Sequence, residues 1–226
     1  VRVTTSVLGQ LVGPVRRTLP WRALGAGGGV GLLFAGLPRL LSAQPDSWSA
    51  LLALRAAALA FAMGLAFLLD DPARHVTAAV PTRRMLRGAL RTALVAPVAA
   101  LWWTAALLLV PTEVRPPVGD ITLEAAATAV LTLAASAAAV RLTYEPEPGQ
   151  RVAVGLLASA VVAPILLPAH WALFVAVGDK RWVEGHERWA LVLMGAAVVW
   201  AACGPEPVRR GLALRRRSGD LSPSGA

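Results

Sequence analysis

Residues 48–69 read WSALLALRAAALAFAMGLAFLL. Arg55 is the single charge in this run, and Leu, Ala, Phe and Met occupy every face of the helix it would form. A helix that is apolar all round is buried in a large core or in a membrane. About 20 such residues cross the roughly 30 Å hydrocarbon layer of a bilayer. Outward from this run, five more segments read the same way: roughly 22–41, 92–111, 120–142, 152–177 and 187–204. Pro, Gly or clustered charge separates them, with no repeat and no soluble domain between. The expectation is an all-α polytopic membrane protein with six transmembrane helices, forming a single membrane domain over 1–226.

Composition agrees. Of 226 residues, 56% are hydrophobic and 15% charged, against about 25% charged in soluble domains. Disordered, collagen-like and disulfide-stapled classes are excluded. The single cysteine, Cys203, builds no internal disulfide and no metal site by itself. A net charge of +9 would suit nucleic acid, but its placement points elsewhere. The N-terminal stretch has Arg2, Arg16, Arg17 and Arg22, and Arg74, Arg83, Arg84, Arg87 and Arg91 follow the second segment. Arg141 and Arg151 flank the fourth connection, and Arg209, Arg210, Arg215, Arg216 and Arg217 crowd the tail. The alternate connections hold only Arg39, Arg115, Lys180, Arg181 and Arg188. Short loops rich in Lys and Arg stay on the cytoplasmic face, so the expectation is a plasma membrane protein of a bacterium with both termini cytoplasmic. Arg16-Arg17 ahead of an apolar run look like an export signal, but five further apolar segments favour retention in the membrane.

Two stretches lie at that basic face. Over residues 4–19, Val7, Leu8, Leu11, Val12, Val15 and Leu19 form one narrow helical stripe, which predicts an interfacial helix. The second connection opens on Asp70-Asp71-Pro72, and Pro81-Thr82 can start a helix. Arg83, Arg87 and Arg91 then recur at a spacing of four beside Arg84, opposite Met85, Leu86, Ala89 and Leu90. The spacing predicts a short cytoplasmic helix over 81–91. One arginine face suits an acidic soluble partner or anionic lipid headgroups, and retention of the loop inside would also account for the charge.

This order of elements resembles the permease subunits of type II (ABC-2-like) ABC exporters. It comprises an interfacial helix, two spans, a cytoplasmic helix and four further spans with a broken fifth. In that family the helix after the second span contacts the ATPase subunit, and Asp70-Asp71, Thr77 and Pro81-Thr82-Arg83-Arg84 are similar to the family's stretch there. The loop opens on aspartate rather than glutamate, and no large extracellular domain is present. The resemblance implies that Asp70, Asp71, Pro81, Arg83, Arg84, Arg87 and Arg91 dock a cytoplasmic ABC-type ATPase. It implies ATP and magnesium on that partner, a second permease subunit as homo- or heterodimer, and a short re-entrant element before the last span.

The fifth segment, 152–177, exceeds what the core requires, and Pro164 and Pro168 interrupt it near His170. A break there and a tilted, kinked span both fit. Arg55 and Glu124 sit at similar depth from one side of the second and fourth segments, so an ion pair is open to them, as is snorkelling of each to the interface. Trp102-Trp103 lie mid-span as packing bulk or as part of an amphiphile route. Gly25, Gly27, Gly28, Gly29 and Gly31 contain overlapping GxxxG spacings that allow close helix contact.

No P-loop, HExxH or GxSxG motif occurs. An enzyme is not expected, nor a cofactor or metal bound by this chain, nor a nucleic-acid partner; membrane lipids are. The functional expectation is an ATP-driven exporter's permease moving an amphiphilic or hydrophobic substrate. A non-transporting scaffold is the alternative. A proton-coupled transporter is disfavoured because no carboxylate lies near the bilayer midplane. A basic tail over 205–226 completes the chain.

Overall fold

The computed structural model describes residues 13, 16–41, 46–70, 84–142, 147–168, 171 and 173–203, with 41 and 84–87 described by their backbone alone. These residues form six α-helices and no strand: α1 (Trp21–Leu41), α2 (Ser47–Leu65), α3 (Arg84–Leu109), α4 (Val118–Leu142), α5 (Gly149–Leu166) and α6 (Trp182–Cys203). A 3₁₀ turn, Ala66–Leu69, prolongs α2. Five helices are long and apolar enough to cross a membrane. α6 is the exception, because Glu184, His186, Glu187 and Arg188 fill its opening turns; it also begins five residues ahead of the expected 187.

Local chemistry sets the boundaries. The Asp46 carboxylate accepts the Ser49 N–H at 2.7 Å and starts α2. Asp70 takes an extended backbone and stops its 3₁₀ extension. α3 departs from expectation. A separate helix is expected over 81–91, yet among the described residues the chain runs unbroken from Arg84 to Leu109. Residues 88–92 contain no proline, and the Thr92 hydroxyl donates back to the Gly88 carbonyl at 3.1 Å across the junction. At the fifth segment α5 ends at Leu166, two residues beyond Pro164. Leu167 is extended (ψ 127°), as a residue before proline prefers. The expected interfacial helix over 4–19 and the tail over 205–226 lie almost wholly outside the described residues.

α2 is the centre of the bundle, with Leu51, Leu54 and Ala57 fully buried. α1 crosses it closely and antiparallel. A Cβ on Gly27 would lie 2.5 Å from the Ala60 carbonyl, and one on Gly64 would lie 2.8 Å from that of Ala23. α4 lies parallel to α2 on another side, where Ser136 donates to the Ala66 carbonyl at 3.0 Å. α3 flanks α1, and Trp102 donates to the Gly28 carbonyl at 2.9 Å. α6 runs parallel to α4. The chain therefore alternates, and the start of α1, end of α2, start of α3, end of α4, start of α5 and end of α6 gather at one basic end. α3 and α5 are the least covered helices: Leu101 and Ile165 are 74% and 76% exposed. Such faces suit lipid, or the small-residue and polar contacts by which membrane helices associate.

Candidate functional site

Arg55 projects from the middle of α2 towards α4. Its Nε and Nη2 donate to Glu124 Oε2 and Oε1, each at 2.7 Å. The side chains are 11% and 4% exposed. This two-pronged geometry is the strongest form of a carboxylate–guanidinium contact. Nη2 also donates to the Val175 carbonyl at 3.2 Å, and the Phe174 ring lies beneath the guanidinium at 5.6 Å. One arginine thus fastens two helices and the segment between α5 and α6.

α6 supplies the third side. His186 Nδ1 lies 2.8 Å from the Trp182 carbonyl, an acceptor, so Nδ1 carries a hydrogen. Its Nε2 lies 3.1 Å from Glu124 Oε1 but is not aligned for a hydrogen bond and has no other partner among the described residues. One turn away, Trp182 Nε1 donates to Asp120 Oδ2 at 2.6 Å. Trp189 Nε1 donates to the Leu173 carbonyl at 3.0 Å, with Phe174 edge-on to its ring. Asp120 and Glu124 on α4 therefore face Trp182 and His186 on α6 as two rungs of a ladder. The arrangement holds a charge pair largely away from the surface and pins the segment between α5 and α6. Among the described residues no cluster of His, Cys, Asp or Glu is placed to hold a metal ion.

No family model, curated protein or solved structure matches this chain.

The second polar cluster lies at the basic end. Asp70 Oδ1 accepts the Gly149 N–H at 2.9 Å, so the carboxylate capping the start of α5 comes from the end of α2. A helix N-terminus favours negative charge. Contact here is tight: a Cβ on Gly149 would lie 2.6 Å from Asp70 Oδ2 and 2.8 Å from the Phe67 ring. Arg91 Nη1 donates to the Leu68 and Asp70 carbonyls at 3.2 and 3.0 Å. The Asp70 carboxyl is half-buried and pushed up from 3.8 to about 6, chiefly by burial. The Gly149 N–H and the Arg91 charge oppose that rise, and the Glu147 charge adds to it. Also at the basic end, where α4 finishes, Arg141 donates to the Ala202 carbonyl and joins α4 to α6.

Of the residues singled out in the sequence, Arg55 and Glu124 meet, as do Asp70 and Arg91. Trp102 and Trp103 are fasteners: Trp102 stacks on Phe61 at 4.3 Å, and Trp103 donates to Thr122 at 3.0 Å. Pro164 lies inside α5 and Pro168 just beyond it. Asp71, Pro81, Arg83 and His170 lie outside the described residues, and Arg84 and Arg87 are described by backbone alone. Sequence reasoning missed His186, Trp182 and Asp120. The spacing of four within Asp120/Glu124 and within Trp182/His186 was the signal available for them.

Proposed function

We propose that this chain is the membrane-spanning permease subunit of an ATP-driven exporter, with six spans and both termini cytoplasmic, working with a separate ATPase and a second permease subunit. The observation that carries the reading is the continuity of α3. An arginine-rich start leads into an apolar helix with no break at their junction, and Pro97 lies further along inside it; Arg91 pegs that helix to the end of α2. A load applied by a partner at Arg84 and Arg87 would tilt the helix at least as far as Pro97, and α3 is loosely enough covered to move. The pathway for an amphiphilic or hydrophobic substrate then lies between two subunits, beside the sparsely covered α3 and α5. The proton-coupled alternative would use Glu124, both of whose oxygens are already engaged by Arg55, or Asp70, which lies just past the apolar stretch of α2 and caps α5.

The test is a mild-detergent pull-down of the tagged protein from native membranes, with and without crosslinking. A stoichiometric P-loop ATPase is expected, and Arg84→Glu with Arg87→Glu is expected to release it while membrane insertion stays normal. Retention of the ATPase by that double variant would remove the docking assignment. Absence of any ATPase from the crosslinked wild type would remove the exporter reading and leave the scaffold.

A further inference from the structure

Arg16 and Arg17 lie just ahead of α1 and Arg22 in its first turn, and all three are exposed. Among the described residues none of the three has an acidic partner. The Trp21 indole donates to the Arg16 carbonyl at 2.9 Å, folding the approach to α1 back over its start. Between this corner and α3 lies a cleft of about 370 Å³, lined by Arg16, Leu19, Trp21, Leu94 and Val98. Its size falls in the roughly 300–1,000 Å³ range of ligand sites.

The cleft is chemically two-sided. Arg16 supplies a cation, whereas Leu19, Trp21, Leu94 and Val98 supply an apolar wall. Its depth is also informative. Trp21 is the first residue of the apolar stretch of α1, and Val98 lies ten residues past Gly88, where that of α3 begins. Trp102, one turn past Val98, donates to the Gly28 carbonyl, so Val98 lies about one turn, roughly 5 Å, deeper than Trp21, and in a bilayer the cleft spans the boundary between headgroups and acyl chains. An acidic peptide would satisfy the arginines but leave Leu94 and Val98 facing its backbone. A zwitterionic lipid would cover that wall but leave the basic corner uncompensated.

We propose that this cleft holds one anionic phospholipid, with its phosphate on Arg16 within the field of Arg17 and Arg22 and an acyl chain along Leu94 and Val98. Basic pockets between spans on one side of a membrane protein are suited to anionic headgroups. The assignment needs only that the chain lies in a bilayer and does not depend on the ATPase reading.

Native mass spectrometry of the full chain in mild detergent, titrated with phosphatidylglycerol or phosphatidylcholine, tests it. The wild type is expected to retain phosphatidylglycerol in preference to phosphatidylcholine. Arg16→Gln should cost about five-fold in phosphatidylglycerol retention, the worth of one basic residue at a membrane surface, with phosphatidylcholine unchanged. Val98→Trp fills the cleft without touching charge and should reduce retention of both lipids. Equal retention of the two lipids by the wild type would overturn the proposal, as would full phosphatidylglycerol retention by Arg16→Gln. Displacement of the bound lipid by equimolar inorganic phosphate would also overturn it, since the apolar wall would then contribute nothing.

Discussion

Arg55 and Glu124 are held in a place where neither could stand alone. Removing one partner of a buried pair leaves a stranded charge and costs about 3–5 kcal/mol, whereas replacing both with apolar residues of similar volume is often neutral or better. Glu124→Gln is therefore expected to lower the unfolding midpoint in detergent strongly, while Arg55→Met with Glu124→Leu recovers most of the loss. A double-mutant cycle on thermal unfolding measures the coupling; additive single effects would show that the pair is not the unit. Asp70 makes a prediction of opposite character. Its carboxyl is raised in the folded state to about 6 from 3.8, so the fold binds that proton more tightly than the unfolded chain does. The stability it contributes is fully present below about pH 4 and is lost as pH rises through about 6. Asp70→Asn keeps an acceptor for the Gly149 N–H and removes this slope. Unfolding midpoints across that pH window check it, and an unchanged slope would assign the dependence to other groups.

At the scale of elements, glycine is used selectively. A Cβ on Gly31 would lie 2.5 Å from the Trp102 ring and 2.9 Å from the Ala57 carbonyl, whereas one on Gly25 would meet nothing within 4 Å. Gly31→Ala is expected to force α1, α2 and α3 apart at a cost of about 1–3 kcal/mol, and Gly25→Ala to have no measurable effect. Unfolding of the two variants side by side separates contact from composition. The sequence already offered GxxxG spacings, but spacing does not reveal which overlapping set faces a neighbour. The same reason explains what else was legible. Arg55 and Glu124 stand out because charge is conspicuous in an apolar run. His186, Trp182 and Asp120 lie near helix ends, where polar residues are ordinary, and taking 187 as the start of the last segment left His186 outside it. The boundary expected near Arg91 followed a change from charge to apolarity. A helix backbone ends where its hydrogen bonds are lost or a cap competes for them, not at a change of polarity.

For the whole molecule, the alternation of helices separates two ends of different charge. The basic end holds Arg16, Arg17, Arg22, Arg91, Arg141 and Arg151, and the orientation proposed above, which rests on the positive-inside tendency, has that end in the cytoplasm. With Cys203 replaced by Ser, Ser47→Cys at the opposite end is expected to react with a membrane-impermeant maleimide in intact cells. Labelling only after permeabilisation would invert the orientation. The two rungs between α4 and α6 have a consequence for motion. Asp120 and Glu124 are one turn apart, as are Trp182 and His186, so the rungs act like the teeth of a key. Sliding α6 by one turn, about 5.4 Å, would bring a single tooth back into register and leave the other unmatched. Intermediate positions match neither. α6 is thus indexed against α4, and displacement along its own axis would proceed as a click between notches rather than as a glide.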